Sequence, residues 1–188
     1  MKVELLSITS NSEELIAQAY GICTGKDSIP VENISKWIKQ HHLTPIEQAS
    51  ASFHISGISR NCSHQLVRHR LFSFNQRSQR YCSEALGKVI IPPTIAASAT
   101  AKKILRTVEE DAFLAYCDLL AIGIPKEDAR YILPHGAETE LVMAGNLRMF
   151  YEFLPKRLDP AAQWEVQGVA RLILANLKIH APHVFGDL

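Results

Sequence analysis

The chain has 188 residues, of which 47% are hydrophobic, so it is long enough to fold as one domain around a sizeable core. Its 20 lysines and arginines are balanced by 19 aspartates and glutamates, and the resulting formal net charge of +1 argues against a general nucleic-acid-binding protein. Four widely spaced cysteines without a CxxC pair argue against a zinc ribbon and against a disulfide framework. We find no signal-peptide pattern and no apolar run near the roughly 20 residues that cross a bilayer, so we expect a cytoplasmic protein without membrane contact.

The first part of the chain alternates between strand and helix patterns. Alternating polar and apolar residues predict strands, whereas apolar residues at i, i+3 and i+4 predict helices. Asn11 or Ser12 would cap the first helix, and Pro30 would open the second. The elements predicted here are a strand over 2–8, a helix over 12–23, a helix over 30–42, a strand over 48–59 and a helix over 60–70.

The rest of the chain predicts more helix than strand. Gly123 is a C-cap candidate for a long helix, Asp159 is an N-cap candidate with Pro160 behind it, and Pro155 strains the preceding helix. The elements predicted here are a short strand over 88–93, a helix over 97–122, a short helix over 125–133, a strand over 137–145, and helices over 146–158 and 159–180. The whole pattern predicts a single domain over residues 1–188 that mixes α and β structure and is rich in helix.

The span between Glu47 and Glu84 contains no acid, although it contains five arginines. These arginines are Arg60, Arg68, Arg70, Arg77 and Arg80. The planar fork of arginine suits two phosphate oxygens, and serines and amides within the span add neutral donors and acceptors, so the pattern predicts a phosphorylated ligand with a polar ring. The alternative is a solvated basic face, or arginines that pair with acids far away in the sequence.

Arg68, His69 and Arg70 follow one another directly. On a regular helix their side chains would point about 100° apart. One site could use all three only at a loop or a helix end, or through ligands met from different sides. The last arrangement would favour a site in an oligomer.

The stretch RHRLFSFNQRSQRY at residues 68–81 resembles the signature RHRxxSxNxxSxRY of the flavin-dependent thymidylate synthases, and all eight fixed positions match. HHLTPIEQASASFHI resembles the stretch that precedes this signature in the family. DARYILP and NLRMFYEFLPKRLDPAAQWEVQ resemble two blocks that follow it. The resemblance covers the chain from about His41 to Val169.

This resemblance implies a fold and a reaction. The implied fold is α+β, with a curved, mostly antiparallel sheet packed with several helices, and the implied assembly is a homotetramer with active sites at subunit interfaces. The implied reaction is the reductive methylation of dUMP to dTMP, with 5,10-methylenetetrahydrofolate as the carbon donor and NADPH as the hydride source through FAD. The chain has no GxGxxG or P-loop motif, and the family binds FAD without one.

The resemblance also implies roles for individual residues. Thr44 would contact FAD from a neighbouring subunit, and Ser78, Arg80 and Arg130 would hold the dUMP phosphate. The residues implied to contact FAD are Thr44, Arg68, His69, Arg70, Gln76, Asn146, Arg148 and Glu152. The residues implied to contact dUMP are Gln65, Arg68, Gln76, Arg77, Ser78, Gln79, Arg80, Arg130 and Arg157.

Arg157 is the implied catalytic residue, because the resemblance places its guanidinium against the uracil ring. A fixed cation at a uracil carbonyl favours the N3-deprotonated or enolate-like ring and raises electron density at C5, which must attack the carbon donor. The alternative is a cation that complements the dipole of a helix C-terminus. No metal site is predicted, because neither His64 with His69 nor His180 with His183 has a carboxylate at ligand spacing.

Two departures from the family pattern keep other functions open. Gln76 stands where many members have Glu, and Glu152 stands where some have a flavin-contacting Asn. A related FAD-dependent enzyme could therefore make another transfer to C5 of a pyrimidine nucleotide. A further alternative is a single-stranded nucleic-acid-binding module in which Phe72, Phe74 and Tyr81 stack on bases, although the near-neutral charge argues against it.

Overall fold

The computed structural model describes residues 1–84 and 87–188. Contacts within the chain divide it into two compact units, each assembled from separate segments of the sequence. The first unit comprises Met1–Ser56, Gln65–Asn75 and Leu141–Leu188. The second unit comprises Gly57–His64 and Gln76–Glu140. The single-domain interpretation of residues 1–188 stays a prediction.

Four antiparallel strands form a sheet in the described residues. They are β1 (Lys2–Ile8), β2 (Ser50–Ser59), β3 (Ser73–Gln76) and β4 (Glu138–Asn146), and they lie in the order β1-β2-β4-β3. β1 pairs with β2 from Lys2 opposite Ser56 to Ile8 opposite Ala51. Ala51 and Phe53 of β2 are buried, because alternate residues of a strand point to the same face.

Helical residues make up 54% of the structure, and together with the antiparallel sheet they confirm the predicted α+β fold. No described helix is both long and apolar enough to span a membrane. Short 3-10 helices lie at Val31–Asn33, Thr44–Gln48 and Arg130–Ile132. The α-helices are α1 (Ser12–Cys23), α2 (Ile34–Lys39), α3 (Arg60–Leu66), α4 (Pro93–Ala96), α5 (Ala99–Ala121), α6 (Lys126–Ala129), α7 (Leu147–Leu158), α8 (Trp164–His180) and α9 (Pro182–Phe185).

The long helix α5 belongs to the second unit, and its existence was predicted from the sequence. The Ser98 side chain caps it by accepting a hydrogen bond from the Ala101 backbone N–H at 3.3 Å. Tyr116 alone among its residues is buried, and the Tyr116 hydroxyl accepts a hydrogen bond from the Glu84 backbone N–H at 3.3 Å. Most of the α5 surface is therefore left partly or fully exposed.

The core of the first unit is apolar and rich in aromatic rings. α8 buries Val166, Val169 and Ile173 at three- and four-residue spacing, as expected of an amphipathic helix. The Phe72 ring, which follows the RHR residues, packs with its centroid 4.8 Å from that of Phe150 in α7. This contact fixes the start of β3 against α7.

Gly145 at the end of β4 allows Phe72 to reach this position. A Cβ atom on residue 145 would lie 2.6 Å from the Phe72 ring, closer than a carbon contact permits. A glycine is therefore required where the backbone of β4 meets the ring. Phe72 is only 7% exposed, which argues against the alternative in which this ring stacks on nucleic-acid bases.

The start of the last long helix was predicted wrongly. α8 begins at Trp164, and the Gln163 side chain caps it by accepting hydrogen bonds from the Glu165 and Val166 backbone N–H groups at 3.0 and 3.1 Å. Asp159 instead accepts a hydrogen bond from the Ala161 N–H at 2.8 Å in the turn that precedes the helix. Gln163, which directly precedes the helix, thus caps it in place of the predicted Asp159.

Other predicted boundaries differ in the same local way. The helix expected over 60–70 ends at Leu66, and the helix expected over 30–42 is reduced to a 3-10 turn and α2. The strand expected over 88–93 is reduced to an isolated bridge between Val89 and Ala137, because the prolines that follow cannot extend a ladder. Asn11 occupies the N-cap position of α1, but its side chain makes no capping bond.

Candidate functional site

The RHR residues lie in a turn of the first unit, between α3 and β3. The His69 N–H donates to the Leu66 carbonyl at 3.0 Å, and the Phe72 N–H donates to the His69 carbonyl at 3.1 Å. His69 is half-buried, whereas Arg68 and Arg70 are exposed. Neither arginine forms an ion pair or a hydrogen bond with the described residues. Both guanidinium groups are therefore available to an anionic ligand.

A cavity of about 220 Å³ lies beside this turn in the first unit. Its walls are mainly apolar, and charged side chains stand among them. The residues that line it are His69, Arg70, Leu71, Phe72, Met149, Glu152, Phe153 and Lys156. An apolar wall with a few charged groups is the usual composition of a cofactor or ligand pocket.

His69 also contacts the implied catalytic residue. Arg157 Nε donates a hydrogen bond to His69 Nε2 at 2.8 Å, and the His69 ring meets the Phe153 ring edge-on with centroids 4.8 Å apart. Burial, and then the positive charges of Arg157 and Lys156, lower the pKa of His69 from its ordinary value. The imidazole is therefore held neutral while it accepts the arginine N–H.

The N-cap and the first two turns of α7 carry three of the residues implied to bind flavin. Asn146 caps the helix by accepting a hydrogen bond from the Met149 N–H at 2.9 Å. Arg148 Nε contacts Glu152 at 2.8 Å, and Arg148 Nη1 contacts Glu47 at 2.5 Å. These two hydrogen bonds raise the pKa of Arg148 above its ordinary value. Glu47 thus joins the 3-10 segment at Thr44–Gln48 to α7.

Thr44 lines a separate cavity of about 310 Å³ in the first unit. The other lining residues come from α1 and from the same 3-10 segment, and they are Leu15, Gln18, Ala19, Ile22, Cys23, Pro45 and Gln48. The Thr44 cavity and the cavity beside His69 share no lining residue. The role implied for Thr44, a contact made to flavin from another subunit, stays a prediction.

The second half of the signature belongs to the second unit. Gln76 Nε2 donates to Ser63 Oγ at 2.8 Å and to Thr139 Oγ1 at 3.3 Å. Both donor contacts of the amide are thus made within the protein, and the amide oxygen is the atom left to accept from a ligand. The departure to glutamine at this position is therefore compatible with a ligand hydroxyl.

Arg77 is held between two acids. Its guanidinium lies 3.5 Å from Glu84 and 3.6 Å from Glu140, and its carbonyl accepts a hydrogen bond from Arg60 Nη2 at 2.9 Å. The contact with Glu84 is ionic only, because Glu84 Oε1 has no hydrogen-bond donor among the described residues. These contacts agree with the alternative in which the arginines pair with acids far away in the sequence, and the role implied for Arg77 at dUMP stays a prediction.

Arg80 and Arg130 meet at one residue that the sequence analysis did not single out. Arg80 Nε lies 2.5 Å from a Glu127 carboxylate oxygen, and Arg130 Nε donates to the Glu127 backbone carbonyl at 3.0 Å. Ser78 Oγ accepts from the Arg80 N–H at 3.2 Å, which closes a turn at this point. No local pattern signalled this role of Glu127, because Arg130 contacts only its backbone carbonyl and Arg80 lies far away in the sequence.

The implied site residues are distributed over both units. Those in the first unit are Thr44, Gln65, Arg68, His69, Arg70, Asn146, Arg148, Glu152 and Arg157. Those in the second unit are Gln76, Arg77, Ser78, Gln79, Arg80 and Arg130. Within the described residues, no group of three or more His, Cys, Asp and Glu side chains is arranged to hold a metal ion.

Comparison with known proteins shows which family this chain resembles in sequence. The family model described as thymidylate synthase complementing protein matches residues 4–183. A flavin-dependent thymidylate synthase from Sulfurisphaera tokodaii is 36% identical over 98% of this chain and 76% of its own length. A protein of the same name from Geobacter sulfurreducens is 32% identical over 100% of this chain and 86% of its own length. Another from Clostridium tetani is 32% identical over 98% of this chain and 85% of its own length.

Proposed function

The chain belongs to the family of flavin-dependent thymidylate synthases, and from this premise we propose that it converts dUMP to dTMP by reductive methylation. The proposed carbon donor is 5,10-methylenetetrahydrofolate, and the proposed hydride source is NADPH acting through FAD. The observation that carries the proposal is the match of the family model to residues 4–183, within which all eight fixed positions of the signature are present.

The residues around His69 fit a flavin. The cavity of about 220 Å³ offers the apolar side chains of Leu71, Met149 and Phe153 to an aromatic ring system. Arg68 and Arg70 carry charges that no described residue neutralises, and such cations suit a pyrophosphate. A flavin bound here would supply hydride transfer, and the protein would supply its binding and orientation.

Three residues of the second unit support binding of the nucleotide phosphate. Arg80 and Arg130 bring two guanidinium groups to the same residue, Glu127, and Ser78 adds a hydroxyl next to Arg80. Two arginines can share the charge of a phosphate dianion through several N–H groups. We assign the dUMP phosphate to these three side chains, with Gln79 beside them.

Arg157 is proposed to activate the uracil ring. Its Nε–H is used by His69, so the two terminal nitrogens of the guanidinium are left to hold a carbonyl oxygen. A cation held in place by a half-buried neighbour does not need to reorganise as negative charge builds on the ring, and that is the condition for stabilising a transition state. The half-buried His69 acceptor distinguishes this arginine from a cation that only complements a helix dipole.

A second candidate is another FAD-dependent transfer to C5 of a pyrimidine nucleotide. It is supported by Gln76 and Glu152, which differ from the family pattern and which both make contacts inside the protein. The same flavin and phosphate residues would serve this reaction. Only the carbon donor and the product would differ.

We further propose that the enzyme is a cytoplasmic homotetramer with active sites at its subunit interfaces. The absence of disulfides among its four cysteines agrees with a reducing compartment. The exposed apolar side chains of the 23-residue helix α5 agree with a surface that is covered by another subunit.

The proposal is tested by the colour and the product of the purified protein. We expect a yellow protein that releases FAD rather than FMN, and that forms dTMP only when dUMP, 5,10-methylenetetrahydrofolate and NADPH are all present. Reactions that omit one component at a time are the controls. A different C5-substituted nucleotide would support the second candidate, and a colourless protein that takes up no FAD on reconstitution would overturn both.

A further inference from the structure

Glu127 contacts both arginines to which the substrate phosphate is assigned. Its carboxylate lies 2.5 Å from Arg80 Nε, and its backbone carbonyl accepts the Arg130 Nε–H at 3.0 Å. Its neighbour Lys126 donates from Nζ to the Tyr81 carbonyl at 3.0 Å, so the short helix α6 contacts the end of the signature at both Arg80 and Tyr81. All of these residues belong to the second unit.

The contact between Arg80 and Glu127 is open to solvent. The two side chains are 60% and 44% exposed. An ion pair of this kind contributes little to folding, because water screens it and both side chains lose rotamer freedom. A stronger anion can therefore replace the carboxylate at modest cost.

A phosphate would compete with this carboxylate for the same cation. Arginine binds a phosphate best through two parallel N–H groups, and one of the two edges that can do so includes Nε–H. Glu127 occupies that Nε–H. A phosphate dianion that takes either edge of Arg80 must displace Glu127 or bind next to its negative charge, and both routes weaken binding.

We propose that Glu127 is an exchangeable counterion of Arg80 that lowers the affinity of the enzyme for phosphate monoesters. The inference rests on the proposed function, since it takes dUMP as the ligand of Arg80. Glu127 would weaken the binding of dUMP and of its product dTMP to a similar degree. It would thereby favour product release and oppose occupation of the site by inorganic phosphate.

The opposite role for the same residue predicts an effect of opposite sign. If Glu127 instead positioned Arg80 for the phosphate, removal of its charge would loosen the guanidinium and weaken dUMP binding. The contact between Arg130 and the Glu127 backbone does not depend on the side chain, so a side-chain variant tests the carboxylate alone.

The test is calorimetric titration of the flavin-loaded protein with dUMP and with dTMP. Glu127→Gln keeps the size and a hydrogen-bond acceptor but removes the charge, and we expect it to lower the Kd of both nucleotides about two- to fivefold, the range typical of one exposed charge pair. Glu127→Asp keeps the charge and should stay near the wild-type Kd. The Kd of inorganic phosphate, titrated alone into the flavin-loaded protein, should fall in Glu127→Gln by a similar factor.

Asp128→Asn is the matched control, because it removes the same charge one residue away on the exposed side of α6. A Kd that is unchanged or raised in Glu127→Gln overturns the inference, and so does an equal fall in Asp128→Asn. Those outcomes leave the proposed function intact, since the wild type would still bind dUMP. A flavin-loaded wild type that does not bind dUMP overturns the proposed function and this inference together.

Discussion

The hydrogen bond between His69 and Arg157 decides which nitrogen of the imidazole carries the proton. A guanidinium can only donate, so His69 Nε2 must be the acceptor and its proton must lie on Nδ1. A second proton would destroy this acceptor and place a cation beside Arg157 and Lys156. Arg70 and Glu152 are the other charged residues that line the same cavity.

Replacing Arg157 by methionine should raise the pKa of His69. Burial lowers this pKa first, and the charges of Arg157 and Lys156 lower it further, so the variant should recover part of the shift while burial keeps the pKa below about 6.5. The titration of the His69 ring protons by NMR, assigned with a His69→Gln variant, measures this directly. Arg171→Met, which removes an exposed arginine from α8, is the control.

The sign of the pH dependence follows from the same shift. Because folded His69 takes up its proton at lower pH than unfolded His69, its contribution to the free energy of unfolding is present above the unfolded pKa and is lost as the pH falls through the folded pKa. A wild-type midpoint at or above 6.5 would contradict the neutral, hydrogen-bonded assignment.

The residue contacts that define the site could be predicted only in part. The signature at residues 68–81 pointed to Arg68 and His69, and a block that follows it pointed to Arg157, because the resemblance is carried by local sequence. The bond between His69 and Arg157 joins residues 88 positions apart, and the pair of Arg148 with Glu47 spans 101 positions. Contacts over such distances depend on the packing of whole elements, which no local pattern contains.

Secondary elements with strong periodicity were predicted well, and short polar ones were not. β1 and α5 follow from repeated alternation and from helical spacing. β3 has the sequence SFNQ, which lacks an apolar run, and it is a strand because it lies beside β4 in the sheet. Tertiary pairing thus overrode the weak local preference at the one strand that the signature itself forms.

The last element of the chain is anchored to the first helix by a single carboxylate. Glu13 in α1 accepts the His183 backbone N–H and contacts the His183 ring nitrogen Nδ1, both at 2.6 Å, and it accepts the Val184 N–H at 3.3 Å. Its side chain is only 12% exposed. The His183 N–H therefore depends on Glu13 for its partner, whereas the Val184 N–H also donates to the Ala181 carbonyl at 3.1 Å.

Glu13→Ala should lower the free energy of unfolding by about 1–3 kcal/mol, because it leaves polar groups of α9 without an acceptor in a partly buried place. Urea denaturation followed by circular dichroism measures the change. Glu14→Ala removes the neighbouring exposed acid of the same helix and should stay within about 0.5 kcal/mol of the wild type. Equal losses in the two variants would show that the anchor at α9 contributes nothing of its own.

At the scale of the whole molecule, α5 presents an apolar stripe that the described chain does not cover. Ile104, Val108, Ala115 and Ile122, the last just beyond the helix end, lie within about 40° of one another around the helix axis. Ile104, Val108 and Ile122 are 63%, 56% and 76% exposed. A long helix that leaves such a stripe to solvent is a poor monomer surface and a good subunit interface, and closed symmetric assembly is the usual way to bury it.

The double variant Ile104→Lys with Val108→Glu should therefore reduce the proposed tetramer to a smaller species, because it places two charges on the stripe that this assembly would bury. Light scattering coupled to gel filtration gives the mass, and the flavin absorbance of the same sample gives the FAD content. If Thr44 reaches the flavin from a neighbouring subunit, FAD content should fall with the mass. Leu114→Lys is the control, because Leu114 is 64% exposed but lies about 80° or more around the helix from the stripe. A double variant that keeps both the wild-type mass and its full FAD would show that α5 does not form the interface.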